Sequence, residues 1–167
     1  DLPIFLHSGD ALILNNVTVL PVRLEARRIG EGKSEVVITS YPNGDPLRPE
    51  SGWIEAGAGG EFRALISRGR KIRIGTQLRI GDAFNVEVLD RSSLPGEAEE
   101  DQWRIRVTLR EGETRRHLFS ESGRMPLPPY IRKKLQQNPQ AVDHHKVYQT
   151  VFASNGGAIA APTAGLH

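Results

Sequence analysis

Hydrophobic and polar residues alternate along the middle of the chain. Over residues 102–110 every odd position is apolar and every even position is polar, and the same period of two recurs at residues 23–27, 71–74 and 84–88. Alternation of this kind is typical of strands with one face buried and one face in water. Because Gly and Asp residues recur at short intervals between these runs, the pattern predicts a closed antiparallel barrel over roughly residues 23–116.

The two flanks of this region follow a different pattern. Residues 11–14 form a short continuous apolar run, which is typical of a strand buried on both faces, and residues 148–153 form a second candidate of this kind. Residues 131–137 have the composition of a basic helix. We therefore predict a mainly β chain in which an antiparallel, six-stranded-type β-barrel is inserted between two pieces of an incomplete α/β domain. The predicted boundaries are 1–22 for the first piece, 23–122 for the barrel domain and 123–167 for the second piece.

Composition excludes several classes of protein. With 38% hydrophobic and 25% charged residues, the chain is too apolar to be disordered and too polar for a membrane protein. It has no cysteine, which excludes a disulfide scaffold, a thiolate zinc site and a cysteine nucleophile. Its five histidines have no spacing that puts two on one helical face, and no Gly-x-Ser-x-Gly motif occurs, so neither a metal site nor a serine hydrolase is expected. A soluble, cytoplasmic protein is the class that remains.

The net charge of +2 conceals an uneven distribution. No acidic residue occurs between Glu61 and Asp82, whereas six basic residues do. Such a block is able to hold a nucleic acid through its phosphates, and the alternative is a solvated exterior of barrel strands. The sequence leaves both open. The candidate nucleic-acid-binding residues, which we expect on alternating exterior positions of the barrel, are Arg63, Arg68, Arg70, Lys71 and Arg73.

Three segments outside the predicted barrel have compositions suited to ligand binding. Asn15 and Asn16 follow an apolar run, where α/β sheets present ligand-binding groups, although an Asn turn gives the same sequence. Three prolines in residues 126–129 hold an extended path, either as a preorganised binding segment or as a rigid connector. Residues 156–167 are rich in Gly and Ala, which lets the backbone approach a ligand closely, and Thr163 is a candidate cap for a helix whose first amides bind an anion.

Taken in order, these segments resemble one family. The chain has Asn-Asn at 15–16 and Val-x-Pro-x-Arg-Leu at 19–24, then Pro-Leu-Pro-Pro-Tyr-Ile at 126–131, Tyr-Gln-Thr-Val-Phe-Ala at 148–153 and Ala-Ala-Pro-Thr-Ala-Gly-Leu-His at 160–167. This order is similar to that of the S-adenosylmethionine:tRNA ribosyltransferase-isomerases of queuosine biosynthesis. Members of that family are longer, so the chain resembles their middle portion and is expected to be inactive by itself.

The resemblance implies a transferase and isomerase that acts on tRNA. The ribosyl group of S-adenosylmethionine is moved onto the 7-aminomethyl-7-deazaguanine wobble base and isomerised, giving epoxyqueuosine with release of adenine and methionine. No cofactor is expected, because a sulfonium acidifies its neighbouring C5′ hydrogens and a positioned base is then able to form an ylide. The implied partners are S-adenosylmethionine and tRNA that bears the precursor base, with no membrane and a monomeric state. The alternative function is a non-catalytic basic β-barrel that binds RNA.

The matching motifs also imply the site residues. His167 is the candidate general acid or base, with a structural role as its alternative, and Tyr148 is the second catalytic candidate. Val17, Thr18 and Val147 depart from the family's usual residues within these motifs. The candidate substrate-binding residues are Asn15, Asn16, Arg23, Pro128, Tyr130, Gln149, Thr150, Thr163 and Gly165.

Overall fold

A closed barrel of six antiparallel strands dominates the computed structural model of the chain, which describes residues 2–28, 32–45, 47, 59–67, 72–91, 102–137 and 143–166. The strands are β1 (Val17–Val19), β2 (Arg23–Arg28), β3 (Lys33–Ser40), β4 (Gly60–Ile66), β5 (Gln77–Ile80), β6 (Phe84–Arg91), β7 (Gln102–Leu109), β8 (Gly123–Arg124) and β9 (Asn155–Ala158). The helices are α1 (Arg115–Glu121), α2 (Pro129–Gln137) and α3 (His144–Val147). The barrel strands pair in the order β3-β4-β7-β6-β5-β2, and a further pairing of β2 with β3 closes the sheet.

The barrel interior is filled by the apolar half of each alternating strand. Along β7, Trp103, Ile105 and Val107 are at most 3% exposed, while Arg104 and Arg106 between them are exposed. Successive side chains of a strand point to opposite faces, so this strand supplies one buried row and one solvent-facing row. The same alternation on the other five strands builds one continuous apolar core.

Strand β2 is bonded on both edges to three other strands. One edge pairs with β3 from Arg23 to Arg27. The other edge is shared, because its first residues pair with β8 and its last two pair with β5. The barrel therefore closes at the strand that also receives the chain when it returns from α1.

Helix α1 joins the barrel core after the last barrel strand. The Thr114 side chain accepts a hydrogen bond from the backbone N–H of His117 and caps the helix N-terminus. Leu118 and Phe119 are buried among the barrel residues. The helix then ends at Ser122, and β8 follows at once.

A second, smaller unit is built from both flanks of the barrel. Strands β1 and β9 run parallel, with Val17 opposite Asn155 and Val19 opposite Ala158. Val19, Met125, Tyr148 and Ala161 form its buried cluster, separate from the barrel core. Parallel pairing requires a crossover connection, and here the whole barrel lies within that connection.

The sequence predictions of the fold are confirmed for the mainly β class, for the closed six-stranded antiparallel barrel and for a helix over 131–137, which α2 contains. The incomplete α/β domain and the three domain boundaries stay predictions. Two predicted buried strands are wrong: residues 11–14 have no regular structure, with Ile13 92% exposed, and residues 148–153 form turns that precede β9. The alternating run at 71–74 is also not a strand, because its described residues lead into a turn at Ile74 and Gly75.

Within the described residues, no helix combines the length and apolar character needed to span a membrane.

We predict that Gly123→Ala destabilises the barrel by about 3 kcal/mol or more, measured by urea unfolding. A Cβ at this position would lie 2.2 Å from the carbonyl oxygens of both Phe119 and Pro21, so backbone on two sides must move. Gly112→Ala is the matched control. A Cβ there meets nothing within 4 Å, and only the positive φ of 84° opposes it, which costs about 1–2 kcal/mol. Equal losses in the two variants would contradict the prediction.

Candidate functional site

Two segments that lie far apart in the sequence meet at the parallel strands β1 and β9. The carbonyl oxygen of Asn16 accepts hydrogen bonds from the backbone N–H groups of Ser154, at 2.9 Å, and Asn155, at 3.1 Å. The Asn16 side-chain Nδ2 also donates to the Ser154 hydroxyl at 3.2 Å. The structure thus brings the Asn-Asn motif beside the segment that follows the Tyr-Gln-Thr motif.

The Asn15 side chain forms a local turn. Its Oδ1 accepts a hydrogen bond from the backbone N–H of Val17 at 3.0 Å. This is the Asn turn that the sequence left as an alternative to ligand binding. It directs the chain from the exposed residues 11–14 into β1.

The side-chain amide of Gln149 takes the place of a neighbouring strand. Its Oε1 accepts from the Val19 N–H, and its Nε2 donates to the Val19 carbonyl, both at 2.8 Å. A backbone in a sheet would make the same pair of bonds, so one side chain satisfies both polar groups of a buried residue. Gln149 therefore positions β1, and its contact with substrate, which the family motif implied, stays a prediction.

Thr150 and Gly165 form a tight contact beside this amide pair. Thr150 is 5% exposed, and its Oγ1 has no hydrogen-bond partner among the residues that the structure describes. A Cβ at Gly165 would lie 2.9 Å from Thr150 Cγ2, so the turn over Thr163–Leu166 packs here because residue 165 is glycine. A buried hydroxyl without a partner costs roughly 1–3 kcal/mol, which a ligand that supplied the hydrogen bond would remove.

The two tyrosines implied by the family motifs occupy opposite environments. Tyr148 is 8% exposed and packs against Val19, Met125 and Ala161, so its ring is part of the small core. Tyr130 is 67% exposed in the first turn of α2. In that turn the Arg132 N–H donates a hydrogen bond to the Pro128 carbonyl. Tyr148 supports the site from within, while Tyr130 offers an open aromatic surface.

Arg23 is held in an ion-pair network that the sequence does not reveal. Its guanidinium bonds to Glu35 on the paired strand β3, and Arg132 Nη1 of α2 lies 3.6 Å from the same carboxylate. The three side chains join β2, β3 and α2 at the junction between the barrel and the small unit. The substrate contact that the family resemblance implied for Arg23 stays a prediction. No spacing in the sequence signals the pairing, because Arg132 is distant in the chain.

The remaining predicted residues are spread over several environments. Arg63 was expected at an exposed exterior position and is only 3% exposed, so that expectation is wrong. A sequence pattern does not show which other segments cover a residue in the folded chain. Arg73 is exposed, as is Thr163 at the start of its turn. Arg68, Arg70, Lys71 and His167 lie outside the described residues. In the described ranges, no three His, Asp or Glu side chains are grouped in a way that would hold a metal ion.

Comparison with known proteins gives consistent results over the whole chain. A family model described as "Queuosine biosynthesis protein" matches residues 1–167. The S-adenosylmethionine:tRNA ribosyltransferase-isomerase of Aquifex aeolicus (strain VF5) is 35% identical over 167 residues, which is 100% of this chain and 41% of that protein. The enzyme of the same name from Syntrophus aciditrophicus (strain SB) is 32% identical over 172 residues, covering 100% of this chain and 45% of that protein. The chain therefore spans less than half the length of these relatives.

Similarity to a solved structure is weaker. The crystal structure of S-adenosylmethionine tRNA ribosyltransferase from Thermotoga maritima has a TM-score of 0.38 and 22% identity to the chain. The matched region covers 72% of this chain and 34% of the Thermotoga maritima chain.

We predict that Gln149→Ala raises the hydrogen-exchange rate of the Val19 amide by roughly 10- to 100-fold. The variant loses both bonds to a buried residue, about 1–1.5 kcal/mol each, and each 1.4 kcal/mol is a factor of ten. Gln137→Ala, at the exposed end of α2, is the control and should leave this amide unchanged. Unaltered exchange at Val19 in the Gln149 variant would show that the amide pair does not hold β1.

Proposed function

The chain belongs to the queuosine biosynthesis protein family, and from that premise we propose that it forms part of an S-adenosylmethionine:tRNA ribosyltransferase-isomerase. The proposed reaction moves the ribosyl group of S-adenosylmethionine onto the 7-aminomethyl-7-deazaguanine wobble base of tRNA. The group is isomerised there to give epoxyqueuosine, and adenine and methionine leave. The support is the match of the whole chain to the family model and to relatives that carry this enzyme's name.

One structural observation carries the location of the site. The segment that follows the Asn-Asn motif and the Tyr-Gln-Thr motif, separated by the entire barrel, meet through the two hydrogen bonds between the Gln149 side chain and the Val19 backbone. Beside that contact lies a buried Thr150 hydroxyl with no partner among the described residues, over a glycine that leaves no room for a side chain. A preorganised polar group in a closely packed wall is a common feature of small-molecule sites. We propose this wall as one side of the S-adenosylmethionine site.

The proposed chemistry requires a base near C5′ of the donor. Removal of a proton next to the sulfonium forms an ylide. Over the transfer and isomerisation together, the ribosyl group loses its bonds to adenine and to methionine and gains one bond to the aminomethyl nitrogen, which gives up a proton, and one new bond within the group itself. His167 is the proposed acid or base, and Tyr148 is proposed to assist from the buried side. Thr150 and the backbone at Gly165 would contact the donor, and exposed Tyr130 would contact the base or an adjoining nucleotide. No resident cofactor is part of this scheme.

The remaining assignments concern the setting of the enzyme. We propose a cytoplasmic monomer, since its tRNA and S-adenosylmethionine substrates are soluble. Basic residues of the segment 63–73 are proposed to contact tRNA phosphates, with Arg73 the exposed member among those described. Asn15, Asn16 and Arg23 are bonded within the chain, so we propose that they contribute by positioning the segments around the site.

Adenine release tests the proposed activity. The full-length gene product is incubated with S-adenosylmethionine and tRNA that carries the precursor base, with the Aquifex aeolicus enzyme as the positive control. Adenine formed in proportion to modified tRNA supports the transferase. Binding of tRNA without adenine, while the control enzyme turns over, would instead favour the non-catalytic RNA-binding barrel.

We predict that Thr150→Val in the full-length protein lowers kcat/KM by about tenfold or more without loss of stability. A ligand hydrogen bond to a buried hydroxyl is worth about 1–2 kcal/mol, whereas folding loses nothing when an unpartnered hydroxyl becomes a methyl group. Thr108→Val, on the exposed face of β7, serves as the matched control and should retain wild-type kinetics. Wild-type kcat/KM in the Thr150 variant would remove this hydroxyl from the site.

A further inference from the structure

Three cationic side chains form a row across the outside of the barrel. Arg27 on β2 lies directly opposite Lys33 on β3 in one pairing and opposite Arg79 on β5 in the other. All three side chains are exposed. We call Lys33, Arg27 and Arg79 the cation row. None of its members has an ion pair with any residue that the structure describes.

The opposite side of the barrel handles the same geometry differently. There, Arg106 on β7 lies between Glu61 on β4 and Glu87 on β6, with N–O distances of 2.8 and 3.4 Å. Opposite charges in directly facing positions stabilise a sheet, and like charges in those positions destabilise it. Of these two rows, the one through Arg106 alternates in sign and the cation row has a single sign. The cation row is therefore unfavourable unless an anion lies over it.

The cation row lines a concave surface. A cavity of about 760 Å³ lies against β2, β5, β8 and the end of α1. Arg28 and Arg124 add two further cations to its wall, and the acids there are Glu25, Asp82 and Glu121. Glu25 is already paired with Arg124 at 3.1 Å, which leaves the cation row in excess over the remaining carboxylates.

The dimensions of the row favour a chain of phosphates over a single small anion. Neighbouring strands are about 4.8 Å apart, so the three positions extend over about 10 Å. Along β2, Arg27 lies four residues from Arg23, about 13 Å from the junction with the candidate site. A backbone that crosses the row is therefore able to continue toward the exposed start of α2.

We propose that the cation row binds the phosphate backbone of tRNA and is a second RNA-contacting surface, separate from the segment 63–73. This inference rests on the proposed function, because that function supplies the polyanion. The contacts are to phosphate, so they position the RNA and carry no sequence preference. An RNA strand over the row also neutralises the like charges that the fold leaves facing one another.

Filter-binding titrations of tRNA at several salt concentrations test the proposal. We expect Arg27→Gln to weaken binding about five- to eightfold at 0.1 M salt. The plot of log affinity against log salt should become less steep, its negative slope shrinking in magnitude by roughly 0.7–0.9. The double variant Arg27→Gln with Arg79→Gln should reduce the magnitude of the slope by roughly twice as much. Neither should reduce the stability of the protein, since each removes repulsion between facing cations.

Arg104→Gln is the matched control. Arg104 is an exposed arginine on β7, which is three strands from β2 in either direction around the barrel, so its loss should leave affinity and slope unchanged. An equal effect of Arg27→Gln and Arg104→Gln would overturn the proposal. So would competition by inorganic phosphate at millimolar concentration, which would indicate a site for a small anion.

Measuring adenine release on the same full-length preparations separates this proposal from the proposed function. Wild-type tRNA affinity in the double variant, together with normal adenine release, overturns the cation row and leaves the enzyme in place. Failure of the unaltered protein both to bind tRNA and to release adenine overturns both.

Discussion

Closure of the barrel on β2 is the interaction on which the rest of the structure depends. A strand has two edges, and β2 gives one entirely to β3 while dividing the other between β5 and β8. The division is possible because β5 reaches only the last two residues of β2, which leaves the first two for the chain that returns from α1. The same strand therefore seals the core, anchors the exit from the barrel and fixes the distance between the barrel surface and the small parallel unit. The ion pair from Arg23 to Glu35 reinforces the end of β2 at which these requirements meet.

How far the sequence predicts the fold depends on whether the signal is local. Alternation over residues 102–110 gives β7 correctly, because one face in the core and one in water is a property of each short segment. The apolar runs at 11–14 and 148–153 carry no period, and burial in a strand was the wrong interpretation of both. The first is largely exposed, and in the second only Tyr148 and Thr150 are buried, within turns. An apolar run without a period shows that a segment is hydrophobic. It does not show whether the segment will be a strand or which other strand would pair with it.

The candidate site was predictable as a set of motifs but not as an arrangement. The resemblance singled out Gln149 and Thr150 together, yet the structure gives them different tasks. Gln149 holds the backbone of β1, and Thr150 lies buried with a hydroxyl that bonds to none of the residues described. Their division of labour depends on Val19, 130 residues away, and no spacing in the sequence encodes that contact. Arg63 shows the same limit in the barrel, since the cationic block around it was evident in the sequence while its burial depends on tertiary packing. Local patterns thus gave several of the barrel strands, and long-range contacts decided the roles of the residues at the candidate site.

The unequal charge of the two barrel sides also affects events before any contact forms. On one side Arg106 is paired with two glutamates, and on the other the cation row has no ion pair within the described ranges of the chain, so charge is distributed unevenly across the width of the barrel. A body of this kind turns in the field of an approaching polyanion, and steering of that sort raises association rates by 10- to 1,000-fold at low salt. Encounters would then begin with β2 facing the partner, and the slow search over orientations would be shortened. The arrangement of charge on the six strands would in this way influence both the rate of association and the side of the barrel that first contacts the partner.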